Sequence, residues 1–513
     1  MKPFLEQHGD RIVGTISGLD RVLFRGTLRS ICYSKGMDRF LGAHRVLYRV
    51  FDKFAEDLTG RIVDHARRLA KSKKRPFTYL YSSEVDKEAL ANHIANRDRI
   101  REGLICVLRC VEPCHSYEIS RNANTKQFDL VLVPRKCLHL YFYYMDREFG
   151  LMHIRLQTWL PFSIHVCLNG REYLARRMAK SGIGFEQRDN TFVRIDNLPD
   201  AQRMLDALIT RQWGRFLKAL ADRVNPLLDP SSGLSLRSYY WTIAESEYAT
   251  DVMFSSAAEL SAVYPSLIAH ALRQFSCQDV LRFLGRRVNS RFSGEVTTSY
   301  RRRTEGVRIK HRVDSNSIKM YDKQESVLRI ETTINNPRMF QVFREMTRKG
   351  QVALGWVRMR KGLADIARRV EVSRASNQRY LEALSVVSKP APTQGVLDPV
   401  SRPIIKENRR YRGLRPITPD DASLFRAVLR GEHLLKGFRN RDLRGYLSSC
   451  DETDEVAGRR ASGRITRQLR MLRAHGLIRK VSRSSYYRIT PKGHHVMTTA
   501  LRIRDLDVAR VSA

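Results

Sequence analysis

The 513-residue sequence lacks several features that assign a function directly. Strings typical of Walker loops, nucleophile elbows and dinucleotide-binding turns are missing, as are paired carboxylates, so the common nucleotide-dependent and hydrolytic enzymes are not first hypotheses. No apolar run approaches the ~18 residues of a membrane-spanning helix. The first residues also lack the charged-then-apolar pattern of a signal peptide, so we expect a cytoplasmic protein without a membrane partner.

Acidic residues are few for the number of basic ones. The chain has 53 Asp and Glu against 92 Lys and Arg, which gives a net charge of +39 and a pI near 10.4. A field of this sign concentrates polyanions, and nucleic acid is the usual partner. A solvated basic surface without a specific ligand is the alternative interpretation. The basic residues are clustered, which favours nucleic acid.

Cysteine is also sparse, with eight residues in the whole chain. The segment "CVLRCVEPCH" places Cys106, Cys110, Cys114 and His115 at gaps that a zinc site permits. Cys106 and Cys110, however, fall in a strand-like run, where a spacing of four puts them about 13 Å apart on one face. We therefore predict buried thiols rather than a metal site.

Two groups of strand-like runs stand in the predicted body, residues 1–387. Five runs between residues 103 and 170 follow one another without intervening helices, which predicts an antiparallel sheet. A second β cluster is predicted at about residues 305–335, and helices fill much of the remainder up to residue 387. Residues 388–419 hold six of the 17 prolines and several basic residues, which is typical of a linker. The predicted fold class is α+β with several domains.

Residues 420–513 carry the clearest pattern for nucleic-acid binding. Helical spacing predicts three helices, and "LIRKV" and "YYRIT" then predict a hairpin. From Arg459 to Lys492 the sequence has eleven Lys and Arg and no acidic residue. The third helix places Ile465 and Leu469 on one face and arginines on the opposite face. The candidate DNA-contacting residues are Arg460, Arg464, Arg467, Gln468, Arg470, Arg479, Lys480, Arg483 and Arg488.

Three helices followed by this basic hairpin, with the string "LRAHGLIRKV…YYRITPKG", resemble the winged helix-turn-helix domain of MarR-type bacterial regulators. The resemblance covers roughly residues 420–504. It implies that the third helix enters the major groove and that wing residues such as Arg483 touch phosphate or the minor groove. MarR-type proteins dimerise through long flanking helices, which this sequence does not supply, so a homodimer is left open. Some winged helices bind protein instead, but the acid-free basic surface favours duplex DNA.

Residues 362–384, "GLADIARRVEVSRASNQRYLEAL", fit the hydrophobic template of a second helix-turn-helix. Val372 and Ser373 would occupy the turn, with Ser373 as the N-cap of the following helix. Glu371 stands where that motif usually has glycine. A long helical hairpin is therefore an equally good interpretation.

A further run, "NSIKMYDKQESVLRIETT", resembles the "YDK…RIE" hairpin of rolling-circle replication initiators, which nick DNA with a tyrosine and a divalent metal. The resemblance implies Glu331 as a metal carboxylate, with Lys323 and Arg329 near phosphate and Mg²⁺ or Mn²⁺ as cofactor. Tyr173 is the candidate nucleophile, although a lone tyrosine on an amphipathic helix is usually a packing residue. The paired histidines of the broader nicking family are missing. The favoured interpretation is a solvent-facing hairpin with cross-strand ion pairs, and outside the nuclease hypothesis no cofactor is expected.

The aromatic run Tyr141–Tyr144 is a candidate stacking surface for single-stranded nucleic acid. Consecutive residues of a strand alternate between its two faces, so at least one pair belongs to the core, and core packing is favoured.

The chain as a whole is also similar to a dispersed bacterial family without an established activity, through "SGLDRVLFRGTLRS" and "RKCLHLYFYYMDREFG". Taken together, the sequence predicts a DNA-binding protein, either a transcriptional regulator or a protein associated with mobile elements. The first alternative is a metal-dependent nicking replication initiator or transposase-like nuclease. The second alternative is an RNA-binding structural protein.

Overall fold

The structure is a computed structural model that describes residues 1–123, 126–285, 295–303, 306–348, 351–385, 387, 393–430, 433, 437–447, 455–481 and 484–505. Its strands are β1 (Ile12–Thr27), β2 (Phe77–Leu80), β3 (Gly103–Arg121), β4 (Phe128–Asp146), β5 (Gly150–Gln157), β6 (Ile164–Asn169), β7 (Phe185–Arg188), β8 (Thr191–Ile195), β9 (Tyr240–Phe254), β10 (Val296–Arg303), β11 (Gly306–Val313), β12 (Asn316–Lys323), β13 (Val327–Ile334), β14 (Gln341–Arg348), β15 (Gln351–Arg358), β16 (Ile404–Lys406), β17 (Arg409–Tyr411), β18 (Ile478–Lys480) and β19 (Tyr487–Ile489).

The helices of the described residues are numbered in the same way. They are α1 (Lys2–His8), α2 (Ser34–Ala43), α3 (Phe51–Ser72), α4 (Lys87–Arg97), α5 (Gly170–Lys180), α6 (Leu198–Thr210), α7 (Trp213–Val224), α8 (Ala257–Ser261), α9 (Tyr264–Arg273), α10 (Cys277–Phe283), α11 (Ile366–Leu384), α12 (Thr393–Ser401), α13 (Pro419–Val428), α14 (Asn440–Leu447), α15 (Glu455–Ala474) and α16 (Pro491–Arg504).

One mixed sheet of eleven strands dominates the chain, in the order β10-β11-β12-β13-β9-β1-β6-β5-β4-β3-β2. All neighbouring strands are antiparallel except the edge pair β2 and β3, which is parallel. The two β groups that the sequence predicts as separate clusters are therefore halves of a single sheet. The prediction missed their connection because β9 carries Glu245, Glu247 and Asp251 and lacks simple apolar alternation.

The sheet repeats one topology about its centre. Strand β1 is followed by helices and by the meander β3–β6, whose last strand returns to pair with β1. Strand β9 is likewise followed by helices and by the meander β10–β13, whose last strand returns to pair with β9. Because β1 and β9 pair antiparallel with each other, the two halves meet as in an approximate two-fold arrangement.

The two faces of the sheet differ in polarity because side chains alternate along each strand. Phe24, Val166, Ile154 and Phe142 lie opposite one another across four strands and are fully buried in the largest core. The positions one residue further along each strand form the other face, with Arg25, His165, Arg155 and Tyr141 in register. The second face is more polar: it carries a small apolar cluster under α4 and the charged clusters described below.

Three local expectations are corrected. Two of the five strand-like runs between residues 103 and 170, "FDLVLVPR" and "CLHLYFYYMD", form the single strand β4, in which Pro134 does not interrupt the ladder. Residues 341–348 and 351–358, expected to be helical, are the paired strands β14 and β15. Residues 366–384 form one continuous helix, α11, so Val372 and Ser373 do not make a turn. A buried stripe along α11 explains this, because Asn377 donates hydrogen bonds to the β9 and β13 carbonyls of Tyr248 and Ile330.

The segment predicted as a linker, residues 388–419, is also different where the structure describes it. It contains helix α12 and the hairpin β16–β17. Val396, Val400 and Leu414 are buried in the same core cluster as Phe425 and Leu469 of the C-terminal helices. The prolines made this segment look like a linker. Helix α12 is short, so its apolar residues, four positions apart, do not form a distinctive pattern in the sequence.

The C-terminal elements follow one another as α13, α14, α15, the hairpin β18–β19 and α16. Phe438, just before α14, forms an isolated antiparallel bridge with Tyr487 of β19. The two residues exchange backbone hydrogen bonds of 2.9 and 2.7 Å. Across the described part of the chain, no helix has both the length and the apolar composition needed to cross a membrane.

Candidate nucleic-acid interface

Helix α15 has one apolar face and one basic face. Ala461, Ile465, Leu469 and Leu472 repeat at intervals of three and four residues and are buried against the neighbouring helices. The predicted contact residues on the other arc are exposed: Arg460, Arg464, Arg467 and Arg470. Within the described part of the chain, neither Arg464 nor Arg467 forms an ion pair. The basic face therefore keeps its charge available for an external anion.

Gln468, also predicted as a contact residue, lies differently. Its side chain is only half-exposed, and its amide oxygen is buried without a hydrogen-bond partner among the described residues. The residue stands at the border between the basic face and the core. Arg464 and Arg467 are consequently better placed than Gln468 to reach a ligand.

The orientation of α15 is fixed by a side-chain clamp from α14. Asn440 donates from Nδ2 to the Ser462 carbonyl at 2.9 Å and to the Thr466 hydroxyl at 2.8 Å. Gly476 ends the helix with a φ of +74°, the left-handed conformation that glycine adopts readily, and the chain turns there into β18. These contacts hold the basic face in one direction relative to the core.

The hairpin β18–β19 presents the other predicted contact residues. Arg479 and Arg488 are directly opposite each other and exposed, and Lys480 is exposed beside them. Two like charges facing each other across a ladder are destabilising unless an anion compensates them. Arg483 lies outside the described residues.

A second basic element was missed by sequence reasoning. The hairpin β16–β17 exposes Lys406, Arg409 and Arg410. Lys406 and Arg409 line a depression of about 320 Å³ together with Arg470 and Arg473 of α15. The sequence signal for this hairpin is Asn408, a residue type that tolerates positive φ in tight turns. In the structure Glu407 and Asn408 both have positive φ in the two-residue turn.

The candidate metal carboxylate of the nicking hypothesis is already paired. Glu331 is buried and accepts from Lys319 Nζ at 2.5 Å and from the Tyr321 hydroxyl at 2.7 Å. Burial opposes its ionisation, but the Lys319 ammonium more than offsets this and holds the pKa of Glu331 below its ordinary value. Lys319 also contacts Glu247 at 3.1 Å. Burial and the Glu331 carboxylate together raise the pKa of Glu247 to about 7.

Arg329, predicted near phosphate, is instead fully buried in an ion cluster. It donates to Asp251 at 2.5 and 2.8 Å and to Asp20 at 2.8 Å. A second buried arginine, Arg171, lies 3.1 Å from Asp251. Lys323 is nearly buried and pairs with Asp189 at 3.1 Å. The expected cross-strand pair exists between Lys319 and Glu331, but the hairpin is an inner part of the sheet rather than solvent-facing.

The remaining body candidates are packing residues. Tyr173 is 5 % exposed, and its ring stacks on Phe149 at 5.3 Å inside the largest core. Every residue of the aromatic run Tyr141–Tyr144 is buried, which confirms the interpretation of that run as core. Cys106 and Cys110 are buried thiols in a small apolar cluster with α4, as the strand-like spacing predicts. Cys114 is only half-buried, so the prediction of a buried thiol is wrong at that position.

A polar cleft of about 590 Å³ lies on the charged face of the sheet, bordered by α4 and α5. Three cationic residues line it, Arg21, Arg176 and Lys323, against four carboxylates, Glu88, Glu172, Asp189 and Glu247. This balance does not favour a polyanion. The basic surfaces of α15, β16–β17 and β18–β19 are the better candidates for nucleic acid.

No protein-family model, curated protein or solved structure matches the chain. Functional inference therefore depends on the geometry and charge of the described residues.

Proposed function

We propose that the chain binds double-stranded DNA through residues 393–505, with α15 as the recognition helix and β18–β19 as the wing of a winged helix-turn-helix. The order of elements supports this interpretation: helix α13, the bridged residue Phe438, helices α14 and α15, the hairpin β18–β19 and helix α16. The bridge from Phe438 to Tyr487 adds a third strand position to the hairpin. The function is that of a transcriptional regulator or a protein associated with mobile elements.

The single observation that carries the proposal is the exposed, unpaired arginine face of α15. Arg460 and Arg467 are seven residues apart, which is about 10 Å at the rise of an α-helix and close to three base-pair steps. A helix of ordinary diameter fits the major groove, about 12 Å wide, and arginine is the side chain that most often pairs with guanine there. Arg479 and Arg488 would then contact the DNA phosphate backbone beside that groove.

The same geometry ranks the alternatives lower. The major groove of duplex RNA is too narrow and deep for a helix, so an exposed helical face fits DNA better than RNA. For nicking chemistry, Glu331 would have to exchange Lys319 for Mg²⁺ or Mn²⁺, and Tyr173 would have to leave the core. Neither change is favoured by the contacts of these residues.

The test is fluorescence anisotropy with one labelled sequence prepared as duplex DNA, single-stranded DNA and duplex RNA. Duplex DNA should bind most tightly, with log K falling by about 0.9 per decade of salt for each phosphate neutralised. Supercoiled plasmid incubated with the protein and Mg²⁺ or Mn²⁺ should stay intact. Equal or tighter binding of duplex RNA, or metal-dependent nicking, would overturn the proposal.

A further inference from the structure

Three metal-ligating side chains converge on the polar face of strands β3 and β4. The register pairs Glu112 with Cys137 and Cys114 with Arg135, so the two cysteines are diagonal neighbours on one face. His139, two residues after Cys137, shares that face. The sulfur atoms of Cys114 and Cys137 are 2.8 Å apart, and a ring nitrogen of His139 lies within 4.8 Å of both sulfurs.

We propose that Cys114, Cys137 and His139 bind one zinc-like divalent ion. Two thiolates and an imidazole form a ligand set that zinc prefers, and the fourth tetrahedral position would be taken by water. His139 is oriented for this role, because Nδ1 lies 3.1 Å from the Cys137 carbonyl. With Nδ1–H as donor to that carbonyl, Nε2 carries the lone pair that a metal needs.

The spacing of the three groups is close to that of a bound site. Sulfurs on one tetrahedral zinc, each about 2.3 Å from the ion, are roughly 3.7 Å apart. The cysteines would therefore separate by about 1 Å on binding, which small rotations of half-buried side chains allow. Partial exposure of Cys114 and Cys137 also leaves a path for the ion.

The position in the sheet gives the ion a structural purpose. Strand β5 pairs with β4 only from His139 onward, so residues 128–138 of β4 extend beyond it, paired with β3. The metal would bind where this two-stranded arm leaves the sheet. One face of this arm packs on the largest core through Tyr117 and Leu130, and an ion on the opposite face would tie its two strands together at the base.

The first experiment measures zinc in the full-length protein, purified with a thiol reductant and without chelators, by elemental mass spectrometry. We expect about one zinc ion per chain, the stoichiometry of a three-ligand site. Cys114→Ser and Cys137→Ser should each reduce the zinc to background. The matched control is Cys277→Ser, which removes an exposed cysteine elsewhere and should leave the zinc content unchanged.

A second measurement on the parent protein covers the case in which the serine variants fail to fold. Cobalt added to the metal-free protein should give a thiolate-to-cobalt charge-transfer band that zinc abolishes. No zinc and no cobalt band would overturn the proposal. A Cys114–Cys137 disulfide that persists in the reduced preparation would also overturn it. The two thiols would then have been oxidised, with loss of two electrons to an oxidant such as peroxide, and could not bind the metal.

Discussion

Single residues in the centre of the sheet carry large electrostatic costs that specific partners offset. Arg329 and Arg171 are fully buried, and the carboxylates of Asp251 and Asp20 compensate their charge. Removing one partner of such a cluster leaves an uncompensated charge in a poorly solvated interior, which is strongly destabilising. Replacing the whole pair by apolar residues costs much less. The cluster should therefore be sensitive to single substitutions.

Arg329→Ala should destabilise the protein by about 3–5 kcal/mol, because Asp251 and Asp20 would lose the guanidinium that pairs both of them. Urea denaturation measures the change. Arg194→Ala is the control, since Arg194 is 71 % exposed in its ion pair with Asp196 and should cost less than about 1 kcal/mol. Similar losses for the two variants would contradict the assignment of the cluster as a structural centre.

Glu247 should make stability depend on pH. Burial and Glu331 raise its pKa in the folded chain to about 7, whereas the unfolded value is near 4.3. For a raised pKa, the stabilising contribution is complete below the unfolded value and is lost as the pH rises through about 7. Glu247→Gln removes this loss. The free energy of unfolding of the variant, relative to that of the parent, should therefore rise by roughly 2–3 kcal/mol between pH 4.5 and 8. A pH-independent difference in urea denaturation would refute the prediction.

At the scale of elements, regular apolar spacing predicted the buried face of α15 correctly, whereas charged residues inside the sheet concealed a strand. The three- and four-residue spacing in α15 correctly placed Ile465 and Leu469 inside and the arginines outside. Strand β9 was missed because Glu245, Glu247 and Asp251 break its apolar alternation. Glu247 pairs with Lys319 and Asp251 with Arg329, and both partners lie on strands distant in sequence. Hairpin β14–β15 was missed because it keeps Phe343 and Trp356 exposed, as a surface element seldom does. The basic hairpin β16–β17 was concealed by the prolines around it.

The packing of α6 on β1 depends on glycine. A Cβ atom on Gly18 would lie 2.3 Å from a methyl carbon of Leu205 in α6. Gly18→Ala should therefore destabilise by about 1–3 kcal/mol through overpacking. Gly60→Ala in α3 is the matched control, because nothing lies within 4 Å of its added Cβ and it should stabilise by roughly 0.5–1 kcal/mol. Thermal melting of both variants tests the pair, and opposite signs are the expected result.

At the scale of the whole molecule, core packing extends the proposed DNA-binding unit beyond the boundary that the sequence predicts. The sequence places its start at residue 420, but Val396, Val400 and Leu414 share a core with Phe425 and Leu469. A fragment of residues 393–505 should fold alone, whereas a fragment of residues 420–505 should expose that core and lose cooperative unfolding. Circular dichroism of the two fragments on heating decides this. A cooperative transition in the shorter fragment would restore the original boundary.

The central claim is that α15 reads duplex DNA, and the affinity of the double variant Arg464→Ala/Arg467→Ala tests it most directly. The two side chains face away from the core, so the melting temperature should barely change. Loss of two contacts worth ~1–3 kcal/mol each should weaken duplex binding by roughly thirty-fold to ten-thousand-fold. The control, Arg188→Ala/Arg194→Ala, removes the same charge from the exposed hairpin β7–β8 and should leave the affinity nearly unchanged. Binding by the α15 variant as tight as that of the parent would contradict the account, and equal weakening by both variants would reduce it to a non-specific effect of charge.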